Sequence, residues 1–160
     1  MLLVPLRLLI SPLAIALINA MLLVPMVLSV WDVALSVLAR QDWNEPVGIV
    51  TAIAVIMMGW GVALEERHMV REMLGMTGRK DEERQAAVDL LCHRVGFAVL
   101  VLGLFAEVCV EMISLPDRII SVSGFEFELI AGSVLLIGAA IVILARHVVK
   151  LVLAARGSGR

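Results

Sequence analysis

The sequence predicts an all-α integral membrane protein with four transmembrane helices, and two observations carry that prediction. The chain is 61% hydrophobic and 18% charged over 160 residues, and its mean hydropathy is +1.02. It therefore has too few polar side chains to cover a soluble domain of this length. Four apolar runs, at about 8–31, 46–64, 95–115 and 129–145, can each cross a hydrocarbon core of about 30 Å, the last with help from flanking residues.

The uneven distribution of Lys and Arg predicts how the chain is oriented. Eleven of the thirteen basic residues lie on one side of the predicted spans, and only Arg40 and Arg118 lie on the other. By the positive-inside rule, both termini and the loop at about 65–94 are expected in the cytoplasm, as in a protein of the bacterial inner membrane. The opposite side is acidic, which favours cations over anions at the outer surface. Its acidic residues are Asp32, Asp42, Glu45, Glu107, Glu111, Asp117, Glu126 and Glu128.

The first span contains one proline and one amide that predict local structure. Pro25 lies inside the apolar run and is expected to kink the helix, because proline donates no backbone hydrogen bond. Asn19 is the only amide in the core of this span and is expected to hydrogen-bond to another helix. Trp31 and Trp43 mark the outer interface, where tryptophan is enriched.

The loop between the second and third spans is predicted to be a short cytoplasmic helical hairpin at about 65–94. Gly75 is expected to end its first helix, since glycine readily adopts the left-handed conformation found there. The second helix is expected to start near Asp81 and to run without a break into the third span, which ends before Pro116. The tail at about 156–160 is expected to be disordered.

The four spans are expected to form one domain, 1–160, that assembles into a homo-oligomer or binds a partner membrane subunit. Four short-looped helices leave little room for a pore within one chain, and small residues in the spans offer contact surfaces. The glycines predicted to lie at helix contacts are Gly96, Gly103, Gly59 and Gly132.

The third span carries polar and small residues along one face, in a region where a membrane helix is normally apolar. At 100° per residue, one arc about 80° wide contains the whole set. This polar seam consists of Asp89, His93, Gly96, Leu100, Gly103, Glu107 and Glu111. A carboxylate inside a membrane costs a few kcal/mol unless it protonates, finds a partner or faces water. The seam is therefore either a pathway for ions or a contact surface for another helix.

In the pathway interpretation the seam conducts a cation or a proton. Glu107 would be the central site, Glu111 the next site outward, and His93, beside Asp89, the inner exit. The outer vestibule would consist of Asp32, Glu126 and Glu128. In the alternative interpretation Glu107 is protonated and forms a hydrogen bond between helices, and the protein is a non-catalytic membrane subunit or scaffold.

A third hypothesis is a metal or haem site built from histidines. His68, His93 and His147 are predicted to lie near the cytoplasmic membrane edge, on different helices. Glu65 and His68 have the i, i+3 spacing of carboxylate–histidine metal sites. A complete di-iron pattern needs a second Glu-x-x-His and further carboxylates, and only one copy is present. Apart from this hypothesis, no cofactor is expected.

Several activities find no support in the sequence. No nucleophile elbow, metalloprotease motif, P-loop or dinucleotide-binding turn is present, which favours a protein that is not an enzyme. Cys92 and Cys109 do not form a Cys-x-x-Cys pair, and about 25 Å of helix separates them, so they cannot bridge each other. No basic domain or motif indicates nucleic-acid binding.

The layout resembles the small four-helix membrane subunit of tripartite substrate-uptake transporters. The resemblance rests on Trp43, Asn44 and Glu45 before the second span and on a last helix with basic ends. It covers the hydropathy of most of the chain, but the sequence Glu-Glu-Arg-His at 65–68 stands where that family has a basic signature. The resemblance implies a non-catalytic subunit of a larger transport complex.

Overall fold

The computed structural model describes residues 10–38, 43–76, 82–116, 122 and 124–156. Within these ranges the regular structure is helical, with no strand. The helices are α1 (Pro12–Leu38), α2 (Asn44–Glu65), α3 (Arg67–Met73), α4 (Glu82–Ser114) and α5 (Glu126–Arg156). Four of them, α1, α2, α4 and α5, are long and apolar enough to cross a membrane. The prediction of an all-α protein with four membrane-spanning helices is confirmed at this level, and the orientation of the termini stays a prediction.

Three of the long helices extend beyond the apolar runs or through the proline that marks them in the sequence. α1 continues through Pro25 as one helix. α4 begins at Glu82 and continues unbroken to Ser114, as predicted for a helix that enters the membrane from the hairpin. α5 continues to Arg156, about three turns past the apolar run that predicted it. The predicted disorder beyond α5, at 157–160, lies outside the described residues.

The predicted hairpin begins with the short helix α3, which follows α2 almost directly and lies against α4. Gly75 ends α3 with a φ of +61°, the left-handed conformation predicted for it. Its N–H donates to the Glu72 carbonyl at 2.9 Å, and the Met76 N–H donates to the Arg71 carbonyl at 3.0 Å. These two hydrogen bonds form a Schellman motif, which satisfies carbonyls that the helix end would otherwise leave unpaired.

The four long helices pack in an order that differs from their order in the chain. α4 lies between α2 and α5, and α1 packs mainly on α5, with a shorter contact to α2. α2 and α4 are antiparallel, because Gly61 lies opposite Gly96 while Ala54 lies opposite Gly103.

α4 and α5 are antiparallel as well, because Cys92 lies beside His147 while Ala106 accepts from Ser133. Arg67, just after α2, bonds to Ile10, just before α1. The start of α1, the end of α2, the start of α4 and the end of α5 therefore share one end of the bundle. We call it the basic end, since Arg67 and Lys150 lie there, and the opposite end the acidic end.

The closest helix contact joins α2 and α4 through glycines. A Cβ atom added to Gly96 would lie 2.5 Å from the Gly61 carbonyl oxygen and 2.6 Å from the Glu65 nitrogen. A Cβ on Gly103 would lie 3.0 Å from the Ala54 oxygen. Small residues allow two backbones to approach this closely in a membrane, where packing replaces the hydrophobic effect as the force between helices.

Two of the four glycines predicted at helix contacts have open space beside them within the described part of the chain. A Cβ added to Gly59 or Gly132 would meet no atom within 4 Å. Gly61, two residues along α2 from Gly59, makes the close contact instead. Residues two apart on a helix point in nearly opposite directions, so only one of this pair can face α4.

Replacing Gly96 with Ala is expected to destabilise the bundle. The added methyl group would collide with the backbone of α2, and overpacking of this kind costs about 1–3 kcal/mol. The measurement is the midpoint of thermal unfolding in detergent micelles. Gly59→Ala is the matched control on open helix surface, and we expect it to leave the midpoint unchanged or slightly raised. Equal effects of the two substitutions would contradict the close α2–α4 contact.

Candidate functional site

A buried carboxylate at the basic end holds two arginines. Asp89 of α4 is 7% exposed and pairs with both Arg67 and Arg71 of α3, which are 3% and 5% exposed. The two arginines are one turn apart, so α3 presents both on the face that meets α4. The Nδ1 atom of His68 lies 3.4 Å from the second carboxylate oxygen. Asp89, predicted as part of an ion pathway, is thus engaged by three side chains.

Arg67 connects three parts of the chain at this end. Its Nε donates to the carbonyl of Ile10 at 3.1 Å, just before α1, and one Nη donates to the Gln85 side chain of α4 at 3.0 Å. Burial is the largest influence on this group and lowers the pKa of Arg67 from its ordinary value, while the charge of Asp89 acts in the opposite direction. These contacts supply the partners that a buried guanidinium requires.

A second group of polar side chains lies deeper, where each long helix contributes one member. Trp60 donates its indole N–H to Oδ1 of Asn19 at 2.6 Å. Nδ2 of Asn19 lies 3.1 Å from Nδ1 of His147, and Nε2 of that ring lies 3.7 Å from Sγ of Cys92. Asn19, Cys92 and His147 are at most 1% exposed. We call these four residues the buried tether, since they join α1, α2, α4 and α5.

The buried tether has the residue types of a Cys-His-Asn catalytic triad, but its hydrogen bonds have the wrong direction. Indole N–H can only donate, so Oδ1 of Asn19 is the acceptor and the amide NH₂ faces His147. Nδ1 of the neutral ring must then accept, which places the ring proton on Nε2, beside Cys92. This tautomer, assigned from the network, cannot take the thiol proton as a general base would. The arrangement satisfies buried polar groups rather than activating a nucleophile.

The two carboxylates predicted as ion sites have different surroundings. Oε2 of Glu107 is shielded from solvent and has no hydrogen-bond partner within the described part of the chain. Glu111, one turn further along α4, is exposed. The predicted vestibule residues Asp32 and Glu128 are exposed, and Glu126 accepts a hydrogen bond from the Gly124 N–H at 2.8 Å. Glu107 is therefore the carboxyl group of this region whose bonding the chain leaves incomplete.

The polar seam is not an open path within one chain. Between its two charged ends, Gly96 and Gly103 lie against the backbone of α2 at distances that leave no space for a methyl group. Water or an ion would need more room than that. The seam thus brings Asp89 and His93 to the basic end and Glu107 and Glu111 to the other half, separated by packed backbone.

Three of the four residues predicted as metal ligands line one cleft at the basic end. Glu65, His68 and His93 surround a volume of about 330 Å³ together with Asp89, and Nδ1 of His93 lies 3.8 Å from the Glu65 carboxylate. The fourth predicted ligand, His147, belongs to the buried tether instead. Among the described residues, no three His, Cys, Asp or Glu side chains lie close enough to hold one metal ion. The hypothesis of a metal or haem site stays a prediction, with His147 lying away from the cleft that the other three residues line.

The sequence indicated some of the important polar residues but not the groups to which they bond. Asn19 was expected to bond to another helix and does, but Trp60 and His147 were not named as its partners. Arg67 and Arg71 lie in the loop expected in the cytoplasm, and no partner was predicted for them, yet both are buried. Their i, i+4 spacing in a short helix followed by an acid on the next helix was the available signal.

Comparison of the chain with protein-family models, with curated proteins and with solved structures gives no match. The four apolar helices are compatible with a small polytopic membrane protein, and its function has to be argued from its own residues.

Replacing Asp89 with Asn is expected to destabilise the protein strongly. The amide cannot neutralise the two buried guanidinium groups, and breaking a buried ion pair by removing one partner costs about 3–5 kcal/mol. Thermal unfolding in detergent micelles measures the effect. Glu83→Gln removes an exposed acid from the start of the same helix, and we expect no measurable change from it. An Asp89→Asn protein as stable as this control would show that the arginines are not held by the carboxylate.

Replacing Trp60 with Phe tests the buried tether. The substitution keeps an aromatic ring but removes the N–H that Asn19 accepts, and an unpaired buried acceptor costs about 1–3 kcal/mol. The unfolding midpoint should fall for Trp60→Phe. It should stay the same for Trp31→Phe, because Trp31 is 68% exposed. If the two substitutions have the same effect, the indole hydrogen bond does not stabilise the bundle.

Proposed function

We propose that this protein is a non-catalytic membrane subunit that associates with a second copy of itself through the outer half of α4. The observation that carries the proposal is Oε2 of Glu107, which has no hydrogen-bond partner within the described residues although the side chain as a whole is only partly buried. In a membrane such a group must be satisfied by another protein group, because lipid chains offer no donor.

The side chains around Glu107 suit a helix contact. Leu104 and Val108 are 50% and 48% exposed, so they offer apolar surface on either side of the carboxyl group. Gly103 and Ala106, which face α2 and α5, already hold the opposite side of α4 inside the bundle. The surface with Leu104, Glu107 and Val108 is therefore a part of α4 that remains available to a neighbour.

A second copy offers the group that Glu107 lacks. A protonated carboxyl has one O–H donor and one carbonyl acceptor. Two such groups related by a twofold axis can satisfy each other in a reciprocal pair, as closed dimers commonly do with a shared surface patch. Protonation also removes the repulsion between two carboxylates, which would otherwise oppose the association.

The experiment compares association of four proteins: wild type, Glu107→Ala, Glu107→Gln and Glu111→Ala. Glutamine keeps a donor and an acceptor, so Glu107→Gln should associate as the wild type does. Alanine removes both and should weaken self-association roughly 10-fold, since one polar contact between membrane helices is worth about 1–2 kcal/mol. Glu111→Ala is the control at the exposed neighbour and should behave as the wild type. Particle mass from light scattering across a range of protein-to-detergent ratios measures the association.

Two outcomes would overturn the proposal. The first is a wild-type protein that stays monomeric over the whole range. The second is a Glu107→Ala protein that is folded, by its thermal unfolding midpoint, and associates as strongly as the wild type.

A cation or proton pathway is the second candidate function. The same unpartnered oxygen favours it, because a partly buried carboxyl without a donor is a place where a proton or cation can bind. Since α2 closes the seam of a single chain, such a pathway would run between copies. Flux assays in proteoliposomes separate the two candidates. A conducting protein should lose flux in both Glu107→Ala and Glu107→Gln, because neither side chain titrates, whereas the subunit proposal predicts no flux in any of them.

A further inference from the structure

A groove lies between α4 and α5 at the basic end, and its residues have no part in the self-association proposed above. Its volume is about 190 Å³. It is lined by Leu91, Val95, Ile143, Arg146, His147 and Lys150. Because α4 and α5 are antiparallel, Val95 and Ile143 lie on the side toward the middle of the membrane, and Lys150 lies toward the end of the bundle.

The lining of the groove divides into an apolar part and a basic part. Arg146 and Lys150 are one turn apart on α5, both are exposed, and neither forms an ion pair within the described part of the chain. No carboxylate lines the groove. His147 has both ring nitrogens turned to Asn19 and Cys92, so it forms a wall without offering a donor. Arg146 and Lys150 thus lie beside apolar side chains and have no acidic partner among the described residues.

The groove also lies at the depth where the acyl chains of a membrane meet the lipid phosphates. The apolar run that predicts the fourth span ends at 145, so Arg146 is the first charged residue of α5 beyond it. Phospholipid phosphates lie at this boundary, with acyl chains on one side and water on the other. Arginine can bind phosphate through two parallel hydrogen bonds, and lysine adds a compact charge.

We propose that this groove binds an anionic phospholipid. Arg146 and Lys150 hold the headgroup phosphate, and the acyl chains lie along Leu91, Val95 and Ile143. A soluble phosphate would use only the basic part, so the apolar part selects the lipid. Basic pockets between membrane helices are the kind of site that takes anionic headgroups. The C-terminus of α5 lies more than a turn beyond Lys150, where its dipole has little effect on a bound anion.

The test adds three probes separately to the detergent-solubilised protein: phosphatidylglycerol, phosphatidylcholine and inorganic phosphate. Binding is followed by the thermal unfolding midpoint and by the lipid retained in native mass spectrometry. Phosphatidylglycerol should raise the midpoint and remain bound to the wild type. In the double variant Arg146→Gln/Lys150→Gln its affinity should fall roughly 10- to 30-fold, because each basic residue near a membrane surface contributes about a factor of five to anionic-lipid binding.

Controls separate a specific site from general charge. Arg94→Gln removes one exposed positive charge from α4 outside the groove lining and should keep the full response to phosphatidylglycerol. The single variants Arg146→Gln and Lys150→Gln should each show an intermediate loss, and both residues are exposed, so their lipid-free stability should match the wild type.

Three results would overturn the proposal. An equal rise of the midpoint and equal retention with phosphatidylcholine would show that the groove does not distinguish headgroups by charge. An equal response to inorganic phosphate would replace the lipid with a soluble anion. A double variant that binds phosphatidylglycerol as tightly as the wild type would place the lipid elsewhere.

Discussion

The basic end of the bundle depends on one carboxylate shared by two guanidinium groups. Arg67 and Arg71 are nearly removed from solvent, and no carboxylate other than that of Asp89 pairs with them in the described residues. A buried charge without a partner is far more costly than a lost apolar contact. The ion pairs of Asp89 with Arg67 and Arg71 therefore fix how α3 lies on α4. Arg67 also positions the start of α1, because its side chain donates a hydrogen bond to the carbonyl of Ile10.

The buried tether meets a related constraint without charge. Hydrocarbon cannot satisfy an amide, an imidazole or an indole N–H, so each group has to find its partner on another helix. Asn19 lies between Trp60 and His147 and uses both ends of its amide. A helix rotated about its axis by a third of a turn would leave one of these groups facing lipid or an apolar wall. The tether thus selects one rotation for each helix, which apolar packing alone specifies poorly.

The sequence carried enough information to predict the spans, because hydropathy is summed over many residues and tolerates errors at single positions. Gly75 was also predictable, since its role follows from local backbone geometry. The contact partners of individual side chains were harder to predict. His93 and His147 each adjoin an arginine in the sequence, yet His93 is exposed and His147 is buried. Gly59 and Gly61 differ in the same way. The face of a helix that meets a neighbour depends on the arrangement of all the helices. A local sequence pattern does not determine that arrangement.

The packing of α1 on α5 has a consequence for how the protein is made. Asn19 and His147 are separated by 128 residues of chain, and a ribosome delivers them to the membrane in that order. While α2 and α4 are being inserted, α1 still lacks its main contact in the described structure, which is with α5. The flank that α5 will cover still faces lipid, and one end of the Asn19 amide is without its partner. The contacts of α1 are therefore completed late in synthesis, when α5 arrives and His147 meets the Asn19 amide.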